Sequence, residues 1–374
     1  MLGSQIQPAS SWSGCVLKRL RALHEFGLAE TFVEDMLTRR PQAFSFYDVI
    51  AALSNGTAPL STAPATGCLL PLSPLGAPVA SPLSNVDTLL GMATTLWPVI
   101  HRLSSLLSLK TELESAVASN AASSKIAVLR TEFESTSKAI RTALTHWRPN
   151  LPPNFVPDDG DMTELATVVD VTDDSFDGIG NDPAGAPGSL RDPGSSGAER
   201  GHLNSILHNA LAYKHSAFVY LYRAIYSWPR SHELVRHHAH QSLTHCVATV
   251  SSAGPMSALL WPLFVAACEA TDLSDRERAG KAFMAVKKRQ GMMNIERAWE
   301  IVKEVWRRAD LAEMLEKVEL GDSGTEDDLV AHSMATASSA KDRRARSGFY
   351  ERQGPGADLW RQVSRDMGVS VVFG

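Results

Sequence analysis

Residues 255–310 read PMSALLWPLFVAACEATDLSDRERAGKAFMAVKKRQGMMNIERAWEIVKEVWRRAD, and they predict three successive helices. Pro255 suits the first turn of a helix, where the missing N–H costs nothing. The residues that follow it are apolar almost all round, so we expect this first helix to be buried. Ser274 and Glu277 have capping-box spacing at the start of the second helix, and Gly291 is expected to end it.

The third helix is predicted to start after an N-cap at Asn294. Trp299 and Trp306 are seven residues apart, so both rings should lie on the same face. That face also carries Ile295, Ala298, Val302, Val305 and Ala309. Charged residues occupy the opposite face, which indicates that the tryptophan face points into the core.

Two runs within this region resemble a known family. They are WPLFVAACEA at 261–270 and, after an arginine-rich turn, GMMNIERAWEIVKEVWRR at 291–308. Together they resemble the C-terminal signature of the fungal-specific transcription factor regulatory domain. This is the large region found in fungal transcription factors with a six-cysteine, two-zinc cluster.

Other stretches resemble the same family in the expected order. Residues 39–59 resemble its entry segment, and residues 85–106 its first long helix. Residues 215–243 resemble the helix pair before the signature, and residues 358–374 the closing segment. The resemblance covers most of residues 30–374. It rests on apolar and aromatic positions, so it implies a fold and a regulatory role without a catalytic motif.

The composition is that of an ordinary globular chain. The 374 residues are 44% hydrophobic and 21% charged, with a net charge of −5. A negative charge gives no electrostatic sign of nucleic-acid binding. No apolar run reaches transmembrane length and no signal core is visible, so we expect no membrane contact and a soluble intracellular protein.

Cysteine spacing bears on the zinc module of the resembled family. Cys15, Cys68, Cys246 and Cys268 show no paired spacing, which favours a reducing compartment. A six-cysteine module needs close pairs to hold two zinc ions. We therefore expect no cofactor and no direct DNA contact in this chain, with zinc only if an upstream module exists. Two alternatives stay open: the chain is a fragment of a longer DNA-binding protein, or it is a regulatory region without its own DNA-binding module.

The periodicity predicts an all-α fold, an irregular multi-helix bundle or helical array with disordered insertions. One long helix is expected from Val86 to Leu107, kinked or divided at Pro98. We divide the chain into a helical N-terminal segment (1–54), a Pro/Ser/Ala-rich loop (55–85), a helical part (86–149), a disordered acidic insertion (150–200), the helical signature part (201–320), a disordered loop (321–347) and a C-terminal docking segment (348–374).

Two polar stretches are predicted to be disordered and dispensable for folding. Residues 155–198 and 321–347 lack apolar periodicity, so they cannot bury enough surface to compensate for their ordering entropy. Limited proteolysis should cut the protein first within these stretches. Strong protection of either stretch would contradict the prediction.

The aromatic residues of the signature permit two interpretations, an effector pocket or plain core. Helical bundles place ligand sites between facing helices, but aromatic stripes are more often core. The candidate residues are Trp261, Phe264, Cys268, Glu269, Phe283, Trp299 and Trp306. Because a buried unpaired carboxylate is costly, Glu269 is expected to pair with an arginine, such as Arg276, Arg278 or Arg307.

Histidines are concentrated between His232 and His245. His232-Glu233 is similar to the start of a zinc-protease helix, but such a helix needs its second histidine four residues later. Here His237 is five residues later and lies off that face. We therefore predict a solvated, partly packed helix and no metal site.

An aspartate motif raises an enzymatic alternative. Asp173, Asp174 and Asp177 match the DDxxD pattern with which all-α isoprenoid enzymes hold magnesium and diphosphate. Glycine and proline follow directly, so a rigid helix is not expected here and we predict no catalysis. Magnesium-dependent turnover of a prenyl diphosphate would favour this alternative.

A basic cluster near the C-terminus has the composition of a nuclear import signal. Its cations are Lys341, Arg343, Arg344 and Arg346. Together with the resemblance, it favours a nuclear, non-enzymatic regulatory domain controlling metabolic or secondary-metabolite genes. The expected partners are co-regulators or transcription machinery, a second copy of the chain, and a small-molecule effector. A stand-alone helical interaction scaffold remains an alternative, and the acidic insertion resembles an amphipathic activation segment.

Overall fold

A computed structural model describes most of the helical part of the chain. It describes residues 41–62, 64, 83, 86–87, 89–153, 155–157, 197–251, 258–321 and 359–369. Within these ranges the regular secondary structure is helical, which confirms the predicted all-α class. None of the described helices is long and apolar enough to span a membrane.

Nine α-helices and one π-helical turn follow one another in the described ranges. They are α1 (Pro41–Asn55), α2 (Trp97–Ala118), α3 (Ser123–His146), α4 (Gly197–Tyr220), the π turn (Leu221–Ile225), α5 (Glu233–Ser251), α6 (Leu260–Cys268), α7 (Leu273–Gln290), α8 (Met293–Gly321) and α9 (Leu359–Asp366).

The central element is α4 with its π turn. Every residue from 205 to 225 is buried except His208, which is half-buried. Helices α5 and α6 pack along it, α3 contacts both α4 and the π turn, and α2 contacts the π turn. The buried residues include polar side chains that bind neighbouring elements: the Ser216 hydroxyl, for example, donates to the Pro262 carbonyl of α6 at 2.9 Å. Because the buried residues include serine, asparagine and histidine, hydropathy alone does not reveal that α4 is central.

The long helix predicted from Val86 to Leu107 is wrong at its start. Helix α2 begins at Trp97, with Pro98 in its first turn, where a proline fits best. Before it, the Asp87 carboxylate accepts the backbone N–H groups of Leu89 and Leu90 at 2.8 and 2.6 Å. An aspartate that binds the backbone in this way favours a turn over a helix.

Three predicted helix boundaries, one end and two starts, can be compared with the observed boundaries of α7 and α8. The end at Gly291 is confirmed, because this glycine adopts the left-handed conformation with φ of 63°. The capping box at Ser274 is wrong, since the helix begins at Leu273 and its N-cap is Asp272. The cap at Asn294 is also misplaced, because α8 begins one residue earlier at Met293. Pro255 lies outside the described residues.

Helix α9 is fixed to the body through a buried arginine. The Arg361 guanidinium donates to the Leu53 carbonyl at 2.7 Å and to the Ser54 carbonyl at 3.1 Å. These groups lie in the last turn of α1, where carbonyls lack partners within the helix. Arg361 also donates to the Tyr220 hydroxyl at 2.8 Å. One side chain therefore connects the C-terminal helix to α1 and α4.

Candidate functional site

A buried ion cluster lies where α6 ends. The Glu269 carboxylate accepts a 2.8 Å hydrogen bond from Arg223 Nε, and Arg230 Nε lies 3.4 Å from the same oxygen. The side chains of Arg223, Arg230 and Glu269 are only 6%, 10% and 8% exposed. We call these three residues the arginine–glutamate cluster. Such a pairing removes the large cost of a lone buried carboxylate.

The expected arginine partners of Glu269 are wrong, although the expectation that it pairs with an arginine is correct. The three arginines proposed from the sequence are occupied elsewhere: Arg276 with Asp310, Arg278 with Asp275, and Arg307 with Glu304. The true partners are 46 and 39 residues earlier in the chain. Sequence proximity favoured the arginines of α7 and α8, but the packing of α4 against α6 determines which cations reach the carboxylate.

The π turn sets the position of Arg223. Its wider winding shows in the bond from the Tyr226 N–H to the Leu221 carbonyl, which is five residues back. Arg223 donates through Nε to Glu269 and through Nη1 to the Trp228 carbonyl. Isolated π turns within α-helices occur frequently at functional positions.

Donors from two other elements cover the free carbonyls at the C-terminal end of α6. Arg230 Nη2 donates to the Cys268 and Ala270 carbonyls at 2.9 and 3.2 Å. The indole Nε1–H of Trp306 donates to the Ala267 carbonyl at 2.8 Å. Cations and N–H donors at a helix C-terminus satisfy its unpaired carbonyls and favour the helix dipole.

An aromatic cluster continues from Trp306 along α8. The rings of Trp299 and Trp306 meet edge to face at a centroid distance of 5.4 Å, and Phe283 lies 5.1 Å from Trp299. The Arg276 guanidinium lies 5.1 Å above the Trp306 ring. It also binds Asp310 through two hydrogen bonds, and this contact is the main cause that lowers the pKa of the Asp310 carboxyl.

The structure brings the seven candidate pocket residues to one region of the molecule. Trp261, Phe264, Cys268, Glu269 and Phe283 are buried, whereas Trp299 and Trp306 are half-buried. The Trp261 ring stacks on Tyr213 at 5.4 Å, and Phe264 meets Trp360 edge to face at 5.3 Å. These contacts pack Trp261 of α6 against α4 and Phe264 of α6 against α9.

The Cys268 thiol is buried beside the ion cluster. Burial is the main cause that raises its pKa well above the ordinary value, and the Glu269 charge adds to the effect. Arg230 and Arg223 oppose the shift without cancelling it. Because the thiolate is the reactive form of cysteine, this residue has the properties of an inert core thiol.

The histidines of α5 are more closely packed than the sequence indicated. His245 is buried, His238 and His240 are half-buried, and His237 is exposed. His240 Nδ1 lies 2.9 Å from the Asp275 carboxylate of α7. In the described part of the chain, no group of three or more histidine, cysteine or acidic side chains is placed to hold a metal ion. Sequence reasoning missed His208 and His215 of α4, which face the α5 histidines.

Several sequence-based predictions lie outside the described residues. They concern the aspartates Asp173, Asp174 and Asp177, the basic cluster Lys341, Arg343, Arg344 and Arg346, cysteines Cys15 and Cys68, the segment 321–347 beyond its first residue, and most of the insertion 150–200. The predicted end of that insertion is slightly late, because α4 already begins at Gly197.

The sequence of the chain matches a known protein family over most of its length. The model of the fungal specific transcription factor domain matches residues 42–374. The chain belongs to this family. The match confirms the resemblance seen in the sequence and includes every described helix except the first residue of α1. Searches of curated proteins and of solved structures each gave no match. As a fungal specific transcription factor domain, the chain has a regulatory role in transcription.

Proposed function

We propose that this domain is the regulatory and effector region of a fungal transcription factor that controls RNA polymerase II transcription of metabolic or secondary-metabolite genes. The family match over residues 42–374 is the observation that supports it most strongly. The protein would act by binding other molecules and not by catalysis. In the described residues, the buried thiols of Cys246 and Cys268 both have a raised pKa, which disfavours nucleophilic chemistry.

The arginine–glutamate cluster suggests how such a domain could remain a single regulatory unit. It connects the π turn and the segment after it to the end of α6, and Trp306 connects α8 to the neighbouring Ala267 carbonyl. We propose that the seven candidate residues form the packed core of this junction. A small-molecule effector would then act on the junction by displacing core side chains and not by entering an open pocket.

We also propose nuclear localisation and protein partners. Co-regulators or the transcription machinery are the partners that a transcription factor domain requires, and a second copy of the chain is a further candidate. Membership of the family supports regulatory partners in general, and the particular partner has to be identified by experiment.

A tethering experiment tests the regulatory role. The full chain is fused to an unrelated DNA-binding domain, and transcription of a reporter carrying the matching site is measured in a fungal host. We expect reporter transcription to change relative to the DNA-binding domain alone. Unchanged transcription with a correctly folded, nuclear fusion would contradict the proposal.

The chain by itself is predicted to lack sequence-specific DNA binding. Its net charge of −5 gives little attraction to phosphate, and its cysteines show no zinc-cluster spacing. Gel-shift titrations at physiological salt should therefore show no discrimination between a candidate promoter site and the same site with one base pair changed. Discrimination at that salt concentration would contradict the prediction.

Replacing Lys341, Arg343, Arg344 and Arg346 together by alanine is predicted to shift the protein from the nucleus to the cytoplasm. Clustered cations are what import receptors bind. Fluorescence microscopy of a tagged full chain measures the distribution. A matched control replaces Lys287, Lys288 and Arg289, a basic run within α7. If only the control variant leaves the nucleus, the import signal is misassigned.

A further inference from the structure

Four histidines form a continuous row between α4 and α5. His208 and His215 are seven residues apart on α4, and His238 and His245 are seven apart on α5. The two helices run antiparallel, so His208 faces His245 with Nδ1 atoms 3.1 Å apart, and His215 faces His238 with Nδ1 atoms 2.8 Å apart. The rings of His215 and His245 stack at 5.7 Å and join the two pairs. We call these four residues the histidine ladder.

Each pair has room for a single hydrogen between its two nitrogens. When one Nδ1 carries a hydrogen and the other does not, the contact is a hydrogen bond. When both imidazoles are cations, both Nδ1 atoms carry hydrogens that point at each other across about 3 Å. Like charges at that distance repel, and the hydrogen bond between the two rings is lost. The folded pair can therefore carry one positive charge but not two.

The ladder lies inside a closely packed interface. His215 and His245 are only 5% and 4% exposed. Next to the ladder, the Ser216 and Ser242 hydroxyls lie 2.7 Å apart and bridge the same two helices. Phe218 stacks on the His238 ring at 4.3 Å. Two facing cations here could not separate or gain water without parting α4 from α5.

Other titratable and charged groups lie beside the ladder or beside its neighbours. The rings of His237 and Tyr222 lie 5.1 and 5.8 Å from the His238 ring, and Lys214 precedes His215 on α4. Arg141 of α3 interacts with Tyr222, and Asp275 and Arg278 of α7 contact His240 of α5. Asp275 binds His240 and Arg278, so its charge is already shared. Helix α6 carries no charged side chain and presents the Pro262 carbonyl to Ser216.

We propose that the histidine ladder is a pH-sensitive clamp that holds α4 against α5 at neutral pH and loosens in mild acid. In the unfolded chain, histidines take up protons near pH 6.5. In the folded protein a second proton on either pair would place two cations about 3 Å apart, whereas the unfolded chain separates the two rings. The unfolded state therefore binds more protons, and stability falls as the pH falls through that range.

A neighbouring histidine shifts stability in the same direction. His232 stacks on Trp228 at 4.1 Å. Burial is the main cause that lowers the pKa of His232, and Glu233 partly opposes it. A lowered pKa in the folded state means that stability is lost as pH falls through the unfolded value. The clamp is independent of the proposed transcriptional role, because it concerns the integrity of the fold.

Denaturant unfolding from pH 8 to pH 5.5 tests the clamp in the full chain. The test variant combines His208→Asn and His238→Asn, replacing the half-buried member of each pair by an uncharged side chain that can donate to the remaining imidazole. The logarithm of the wild-type unfolding constant should rise as pH falls, with a slope steeper by about two protons than in the variant. His146→Asn, at an exposed position on α3, serves as control and should keep the wild-type slope. Equal slopes in wild type and double variant would overturn the proposal.

A second measurement does not depend on the variant folding. Imidazole ring protons of the wild-type protein are followed by NMR through the same pH range. We expect one histidine of each pair to stay neutral at pH 5.5 for as long as the folded spectrum persists. Full protonation of all four rings in the folded protein would overturn the proposal.

Discussion

Glu269→Ala should destabilise the folded domain by about 3–5 kcal/mol, because it leaves two buried guanidinium groups without their counter-charge. Arg223 and Arg230 are 6% and 10% exposed, so water cannot replace the lost carboxylate without opening the junction. Typical domains are stable by roughly 5–15 kcal/mol, so this single change should bring the protein close to unfolding. Thermal and urea unfolding of the purified chain measure the loss.

Two controls isolate the ion cluster from a general effect of losing a carboxylate. Glu300→Ala removes an acid whose ion pair with Lys303 is about half exposed, so it should change stability by less than about 1 kcal/mol. Glu269→Ala should also lower stability by less in an Arg223→Ala background than in the wild type. That background already lacks one of the two guanidinium charges that the carboxylate neutralises. A loss for Glu269→Ala no larger than for Glu300→Ala would show that the cluster does not stabilise the fold.

Trp306→Ala is expected to lower the free energy of unfolding by roughly 2–4 kcal/mol. The ring is half-buried, so the loss is smaller than for a fully buried tryptophan, but its Nε1–H also satisfies the Ala267 carbonyl. The substitution removes packing against Trp299 as well. Thermal melts with and without candidate metabolites measure both stability and ligand response.

The comparison variants for Trp306 separate its roles. Trp306→Phe keeps an aromatic ring but loses the hydrogen bond, so its loss should be smaller. Lys303→Ala, on the exposed face of α8, should change stability by less than about 0.5 kcal/mol. If Trp306→Ala keeps the wild-type melting temperature and abolishes only a metabolite response, these tryptophans line an effector pocket and the core assignment is wrong.

Helix positions were largely predictable from local periodicity. The three helices predicted within residues 255–310 correspond to α6 (Leu260–Cys268), α7 (Leu273–Gln290) and α8 (Met293–Gly321). Apolar residues at helical spacing specify such segments without knowledge of their neighbours. The helix starts were less predictable, because Ser274 and Asn294, the two predicted caps, are each the second residue of the observed helix.

Most residues of the candidate site were predictable from the sequence, but the contacts between them were not. The sequence indicated that Glu269 needs an arginine and that Trp299 and Trp306 share a face. It did not identify Arg223, whose position depends on the π turn, or Arg230, which lies between α4 and α5. The sequence also did not predict the contact between His215 and His238, because it depends on how α4 packs against α5.

Sequence by itself determined the all-α class, the family and most of the helices, because these depend on the spacing of apolar residues within one segment. Only the tertiary structure decided that α4 is the central helix, that Arg223 and Arg230 neutralise Glu269, and that histidines of α4 and α5 meet in pairs. Those contacts join residues 23 to 46 positions apart. They depend on how two helices cross and on the local winding of the π turn, which side-chain periodicity does not encode.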